Sequence, residues 1–245
     1  MGQVLRGLVV SSGELKYKDF KLFSYSGLKG QTRVSKTGLH VNSKKVTLVI
    51  TSPDKGFLDF VLVQVFKQPH LFIDQLQIVP EHVDEERLLP FENKMRFICI
   101  SPLVLLEPTF NADPGKRFIE PSTDEFSDLM FEHTMERMEE SGIDTSKISE
   151  IDKFQVVPDL SYIQKLRDSK KKFARIYPMY HDDVKYEVRG YTFPFVLYAP
   201  VPVQEFIFIC GLGRFCSKGF GMLDLANSDP VERISPYEFE HLLPH

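Results

Sequence analysis

The sequence predicts an α+β fold of two similar units, and three observations support this. Apolar residues alternate in several short runs, as they do in half-buried strands, and recur at helical spacing in others. These strand-like and helix-like segments follow one another twice along the 245 residues. A glycine-rich stretch then separates the last helix-like run from the last strand-like run.

The first unit is predicted within residues 1–93. Alternation from Leu39 to Thr51 predicts two short strands joined through residues 42–45. Ser52 as N-cap, with Pro53 at the first helical position, predicts a helix, and a single strand over 71–79 follows. This order fits a ferredoxin-like βαββαβ unit, except that no strand is predicted before residues 4–12.

The second unit is predicted within residues 94–245. A strand from residue 94 to 106 precedes a helix over 122–140, which begins at the capping box Ser122-x-x-Glu125. Further strands are predicted over 154–157, 172–179, 185–198 and 220–225, with a helix over 202–210. We therefore expect two tandem ferredoxin-like (RRM-like) units, the second carrying the glycine-rich loop.

The composition, 42% hydrophobic and 26% charged, is typical of a globular protein. The apolar runs are far shorter than the roughly 20 residues that a membrane span needs. Cys99, Cys210 and Cys216 include no Cys-x-x-Cys pair, so neither a disulfide framework nor a zinc site is indicated. We expect a cytoplasmic protein with reduced thiols, no membrane segment, no metal and no cofactor.

The net charge is −4, but the charges are segregated along the chain. Residues 1–55 contain ten Lys and Arg against three Asp and Glu, and residues 161–189 contain eight against four. Residues 81–160 have the opposite balance, eight against nineteen. Local basic surfaces of this kind favour binding of a nucleic acid, and a merely solvated face is the alternative.

The segment from Gly211 to Gly221 has four glycines in eleven residues. Glycine can adopt positive φ and let the backbone approach a ligand closely, so successive N–H groups can bind one phosphate. Arg214 and Lys218 agree with that interpretation. The spacing matches neither the dinucleotide fingerprint nor the P-loop, and an ordinary tight turn is the alternative.

This loop resembles the C-terminal glycine-rich loop of the RAMP superfamily of CRISPR-associated proteins. Its closing Lys218-Gly-Phe-Gly-Met222 is most similar to the sixth Cas family, the CRISPR repeat-processing endoribonucleases. Lys21-Leu-Phe-Ser-Tyr-Ser26 and Met95-Arg-Phe-Ile-Cys-Ile-Ser-Pro102 resemble two strands of that family, and Ile50-Thr-Ser-Pro-Asp54 with Gln68-Pro69 is similar to its first helical segment. The four segments occur in the family's order and cover about residues 4–225.

The resemblance implies a metal-independent endoribonuclease that uses the 2′-hydroxyl as nucleophile and leaves a 2′,3′-cyclic phosphate. Lys21 lies where the family has a lysine that stabilises the developing charge. Leu15 and Val10 fall near the family's usual histidine and tyrosine, and residues 1–39 contain no histidine. The pair is lost, lies in a segment absent from this chain, or is replaced by Tyr17, Lys16, Lys18 and Lys21.

Among the remaining histidines, His40 and His133 are predicted to be structural. His181 is predicted to lie in a turn beside Asp182 and Asp183, where adjacent residues rarely converge on a metal. We therefore predict no metal ligands, and our candidate catalytic residues are Lys21 and Tyr17.

Predicted RNA contacts combine cations for phosphates with the loop backbone. They are Lys16, Lys18, Lys172, Arg175, Lys185, Arg189, Gly211, Gly213, Arg214, Ser217, Lys218, Gly219 and Gly221.

Three hypotheses follow, and CRISPR repeat RNA is the expected RNA partner in each of them. The chain is an active processing endoribonuclease, a repeat-binding module that does not cut, or a structural RAMP subunit of an effector complex. Other Cas proteins and a second copy of the chain, as a homodimer, are the further expected partners.

Overall fold

The computed structural model describes residues 15–35, 38–73, 75–107, 114–181 and 184–237, together with Gly7. The described residues form helices and strands, and every strand pair among them is antiparallel, which confirms the predicted α+β class. The earlier elements are β1 (Ser24–Tyr25), β2 (Thr32–Ser35), β3 (Gly38–Val41), β4 (Ile50–Thr51), α1 (Lys55–Phe66), β5 (Leu71–Ile73), β6 (Leu76–Ile78) and β7 (Asp84–Glu86).

The later elements form the larger part of the fold. They are β8 (Lys94–Cys99), β9 (Leu103–Val104), α2 (Asp124–Glu140), β10 (Gln155–Pro158), α3 (Leu160–Asp168), β11 (Ala174–His181), β12 (Val184–Tyr191), β13 (Phe195–Tyr198), α4 (Val201–Cys210), β14 (Leu223–Leu225) and β15 (Ile234–Pro236).

A four-stranded antiparallel sheet organises this larger part, with the strand order β10-β13-β8-β14. Helix α2 connects β8 to β10, and α4 connects β13 to β14. The chain order of the strands across the sheet is therefore 2-3-1-4, which is the ferredoxin-like arrangement of a βαββαβ unit. One face is covered by the two helices, and the core between them includes Phe97, Phe126, Phe195 and Ile207.

An insertion between β10 and β13 adds α3 and a long hairpin. Strands β11 and β12 pair along their whole length, from Ala174 opposite Tyr191 to His181 opposite Val184. Strand β9 pairs with the end of β12, so the hairpin forms a second, three-stranded sheet. Helix α3 was not predicted; Asp159 begins it as N-cap by accepting a hydrogen bond from the N–H of Tyr162 at 3.0 Å.

The first part of the chain has its own small core. Strands β1 and β4 pair, and a bridge between Lys29 and Thr47 continues their ladder. Helix α1 buries Phe57 and Val61 against an aromatic cluster that includes Tyr17, Phe20, Phe23 and Tyr25.

The hairpin predicted from Leu39 to Thr51 is wrong. Strand β3 pairs instead with β2, which precedes it, and β4 pairs with β1. Residues 42–45 therefore do not form a turn between paired strands. The N–H of Asn42 instead donates to the carbonyl of Gln31, the residue before β2, at 2.8 Å. Alternation identified strand segments here but not their partners.

Both predicted helix starts are too early. Ser52 donates its hydroxyl to the carbonyl of Leu22, and Asp54 caps α1 by accepting from the N–H of Phe57 at 3.0 Å. Helix α2 begins after Thr123 rather than Ser122. Glu125 pairs with Arg117 instead of completing a capping box.

Three long predicted strands are each divided in two. Residues 71–79 form the β5–β6 hairpin, residues 94–106 give β8 and β9, and residues 185–198 give β12 and β13. The predicted strand over 154–157, the helix over 202–210 and the closing strand correspond to β10, α4 and β14. The question of a strand before residues 4–12 lies outside the described residues.

Strand pairing crosses the predicted domain boundary between residues 93 and 94. Strand β7 pairs with β15 near the end of the described chain. Arg233, which is buried and directly precedes β15, forms ion pairs with Glu86 of β7 and with Asp224 of β14, the latter at 2.7 Å. The division at residue 93 stays a prediction. No helix in the described part is long and apolar enough to cross a membrane.

Candidate nucleic-acid interface

The glycine-rich loop begins where α4 ends, and a cation from α2 holds that end. Arg137 donates to the carbonyl oxygens of Cys210 at 2.5 Å and of Gly211 at 2.7 Å. A positive charge at a helix C-terminus also interacts favourably with the helix dipole. The loop therefore starts from a fixed point on the ferredoxin-like core.

Two of the loop's glycines are required by contacts inside the protein. A Cβ at Gly213 would lie 2.5 Å from the carbonyl oxygen of Val104, and one at Gly221 would lie 2.2 Å from that of Leu212. Both have positive φ, +84° and +71°. At these positions the backbone approaches other backbone, so a tight turn is sufficient to explain these two glycines, and the predicted RNA contacts of the loop glycines stay predictions.

Backbone hydrogen bonds fix the loop further. The N–H of Arg214 donates to Val104 at 2.8 Å, and that of Gly221 donates to Pro102 at 2.8 Å. Arg214 also pairs through its guanidinium with Glu136 of α2 at 2.9 Å. This arginine, predicted to bind RNA, is thus partly neutralised by an ion pair within the protein.

The first part of the chain docks on the far end of the loop. A Cβ at Gly219 would lie 2.8 Å from the ring of Tyr25 on β1. In addition, Thr51 of β4 donates its hydroxyl to the carbonyl of Ile209, near the end of α4, at 2.7 Å. Two of the segments picked out in the sequence, Lys21–Ser26 and Gly211–Gly221, therefore meet in the fold.

The loop tip consists of residues 215–218, of which Phe215, Ser217 and Lys218 are half-buried and Cys216 is buried. Lys218 lies 5.0 Å above the ring of Phe215 and donates to the hydroxyl of Tyr186 at 3.2 Å. Within the described residues, the N–H groups of Phe215 and Ser217 have no hydrogen-bond acceptor. The tip combines a cation, aromatic rings and free donors.

A second basic surface lies at the base of the β11–β12 hairpin. We call it the basic groove; its volume is about 550 Å³. Its cations and exposed ring are Phe118, Arg167, Lys171, Lys172, Arg175 and Arg189. All belong to the second part of the chain, so the groove does not lie between the two predicted units.

The other predicted contacts lie apart from this groove. Lys185 is exposed on β12 and is 3.8 Å from Glu187. Lys16 and Lys18 are exposed beside the aromatic cluster of the first part. The thirteen predicted contacts are thus spread over several surfaces.

The two candidate catalytic residues have different surroundings. Tyr17 is only 7% exposed, and its hydroxyl accepts a hydrogen bond from Lys16 at 2.9 Å. Its ring packs against Phe57 and Phe60, so it contributes to the core. Lys21 is exposed, three residues before β1.

The chain matches the model of a known protein family. The model of the C-terminal part of the CRISPR-associated protein Cas6 matches residues 81–225, more than half of the chain. The chain belongs to the Cas6 family. No curated protein sequence matches the chain significantly.

Solved structures share the fold of this Cas6 chain along nearly its whole length. A CRISPR-associated protein Cas6 aligns with 18% identity and a TM-score of 0.67, covering 92% of this chain and 90% of its own. A Cas6-related protein from Pyrococcus furiosus aligns with 17% identity and a TM-score of 0.68, covering 93% and 91%. An RAMP protein described as binding different RNA substrates aligns with 17% identity and a TM-score of 0.67, covering 92% and 89%.

His133 lies on α2, close enough to Arg137 and to Arg214 of the loop to be affected by their charges, and is buried, as predicted from its helical position. Burial, together with the smaller effect of the charges of Arg214 and Arg137, lowers the pKa of His133 to about 3. The imidazole is therefore neutral at pH 7. A neutral side chain can lie between two arginines without adding to their repulsion.

Sequence reasoning missed several residues of the candidate interface. Phe118, Arg167 and Lys171 line the groove, and Arg137 supports the loop. The basic run 170–172 signalled part of the groove, but Phe118 lies in a proline-rich stretch with no periodic pattern. In the described part of the chain, no group of three or more His, Cys, Asp or Glu is placed to hold a metal.

Proposed function

We propose that this Cas6-family chain recognises CRISPR repeat RNA through the tip of its glycine-rich loop. The observation that carries the proposal is the position of Lys218 between Phe215 and Tyr186 on a loop fixed by backbone contacts. Single-stranded RNA is bound by cations on its phosphates and by aromatic rings on its bases. The tip offers both, with the free N–H groups of Phe215 and Ser217 as additional phosphate donors.

The loop's glycines have an indirect role in this proposal. They allow residues 211–221 to pack closely against β9 and β1, which holds the tip in place. A fixed tip loses little conformational entropy when RNA binds. The likeness to an RAMP protein described as binding different RNA substrates supports the assignment at the level of the fold.

Replacing Lys218 with alanine should weaken repeat RNA binding roughly ten-fold, because one phosphate contact is lost. The slope of log affinity against log salt should fall by about 0.7 for a single strand. A filter-binding titration at several salt concentrations measures both. The control is Lys147→Ala, an exposed lysine paired with Asp144 elsewhere on the surface; equal losses in both variants would contradict a role for the tip.

Cleavage of the repeat is the second candidate function. It is favoured by the docking of β1 on the loop, because Lys21 precedes β1 and Tyr25 touches Gly219. In this proposal Lys21 stabilises the negative charge that develops on the phosphate when the 2′-hydroxyl attacks. Tyr17 stays a candidate from the sequence, although its hydroxyl already accepts a bond from Lys16.

Replacing Lys21 with alanine should abolish cleavage while changing repeat affinity no more than about three-fold, since one cation stabilises the transition state more than the bound substrate. End-labelled repeat RNA in EDTA, separated on a denaturing gel, tests the loss and the metal independence together. Lys44→Ala, an exposed lysine between β3 and β4, is the matched control. Unchanged cutting by the Lys21 variant would remove this residue from the mechanism.

The remaining expectations stay predictions. Association with other Cas proteins and formation of a homodimer are both testable by size-exclusion chromatography with light scattering. A cytoplasmic location is testable by fractionation of the source cells.

A further inference from the structure

The basic groove has an excess of unpaired positive charge. Its walls are the segment at Phe118, the end of α3 with residues 171–173, and the base of the β11–β12 hairpin. Arg167 is paired with Glu120 at 3.1 Å, and the Nε of Arg189 donates to the carbonyl of Lys116 at 2.7 Å.

Three further cations of the groove have no such partner. Within the described residues, Lys171, Lys172 and Arg175 form no ion pair or side-chain hydrogen bond. A concave surface lined by several cations, three of them unpaired, attracts an anion.

An aromatic ring lies among these cations. Phe118 is 46% exposed, although its ring also packs against Phe173 and Tyr191 at centroid distances of 6.1 and 6.0 Å. The guanidinium of Arg189 lies 5.6 Å from the ring centroid. An exposed ring braced by two buried rings and flanked by cations is the combination that stacks an unpaired base while binding its phosphates.

The side of the groove lined by Ile176 and Arg189 lies on the face of the hairpin opposite the loop tip, whereas Arg175 alternates with Ile176 and is on the loop-tip face. Tyr177, Met179, Tyr186 and Val188 pack toward the loop, in one cluster with Val104 and Phe220. Ile176 and Arg189 are paired across the hairpin and alternate with those residues, so they face the other way. An RNA strand that contacts both surfaces must pass around the hairpin.

We propose that the basic groove is a second RNA subsite, which takes one unpaired nucleotide with its base against Phe118 and its flanking phosphates on Lys171 and Lys172. The proposal rests on the proposed function for the identity of the RNA. The groove subsite differs in location from the loop-tip site of the proposed function, because Lys218 and the glycine-rich loop lie on the face of the hairpin opposite Arg189.

The test compares Phe118→Ala with Tyr180→Ala, which removes an exposed ring of β11 outside the groove. Repeat RNAs carrying single 2-aminopurine substitutions report stacking at each position. We expect one position to be quenched by the unaltered chain and by Tyr180→Ala but not by Phe118→Ala. Phe118→Ala should also weaken binding roughly ten-fold, the loss typical of one stacked base.

Two further variants keep the proposal falsifiable. Phe118→Trp should restore both quenching and affinity, provided that thermal unfolding shows all variants to be folded. The double variant Lys171→Gln and Lys172→Gln should reduce the salt slope by about 1.4, as expected for two phosphate contacts with a single strand.

The outcomes separate the two proposals. If Lys218→Ala weakens repeat binding and Phe118→Ala does not, the groove is refuted and the proposed function stands. If the repeat does not bind at all, the proposed function fails, and the groove is tested with an unrelated single-stranded RNA such as oligouridine. Binding of that RNA that is lost in Phe118→Ala supports the groove, and binding that is unchanged, or absent, overturns it.

Discussion

Replacing Gly221 with alanine is expected to lower the free energy of unfolding by about 3–5 kcal/mol. Losses of this size are caused by overpacking or by strain at a special backbone conformation. The new Cβ would lie 2.2 Å from the carbonyl oxygen of Leu212, and backbone cannot move aside as a flexible side chain can. A left-handed conformation adds about 1 kcal/mol for a residue other than glycine. Urea unfolding followed by circular dichroism measures the loss.

The chain offers a matched control for this prediction. Gly142 has a similar positive φ of +85°, but a Cβ there meets nothing within 4 Å. Gly142→Ala should therefore cost only about 1 kcal/mol, the conformational part alone. Similar losses at both positions would show that close packing of the loop is not what requires Gly221.

Replacing Arg137 with methionine is expected to cost about 2–4 kcal/mol of stability. Two charge-assisted hydrogen bonds to the end of α4 are lost, and each is worth roughly 1.5–3 kcal/mol before the remaining groups find water. Methionine retains much of the apolar stem of Arg137 but not the guanidinium, which lies 5.6 Å from the ring centroid of Phe206. The carbonyls of Cys210 and Gly211 are left without their partner.

The same variant should weaken repeat RNA binding although Arg137 does not face the RNA in our proposal. A loop that is no longer fixed at Gly211 must be ordered during binding, so affinity falls by roughly ten-fold, the equivalent of about 1.4 kcal/mol. Arg137→Lys, which keeps the charge and one donor direction, should recover part of both losses. A variant that is destabilised but binds RNA normally would contradict this positioning role.

The second part of the fold was predictable because its pattern is locally consistent. The residues of β10, α4 and β14 have the periodicity of the elements that they form. The first part was less predictable, since the strands are short and their partners are distant. Leu39 to Val41 pairs with β2 rather than with residues 46–51, and neither propensity nor alternation specifies that choice.

The candidate site, like the fold, was predictable only in part from the sequence. The sequence identified the glycine-rich loop, Lys218 and the cations Lys172 and Arg189. It could not show that Gly213 is required by the carbonyl of Val104, because that contact spans more than a hundred residues. Nor could it bring Phe118 to the same groove as Arg189, since only the fold determines that proximity.

The most direct test of the account is a native gel of the purified chain with end-labelled cognate repeat RNA in EDTA, beside the Lys218→Ala variant. We predict a specific shift for the unaltered chain, at concentrations where an unrelated RNA of equal length is free, and a clearly weaker shift for the variant. No shift with the repeat, or the same shift with repeat, unrelated RNA and variant alike, would contradict repeat recognition by the loop.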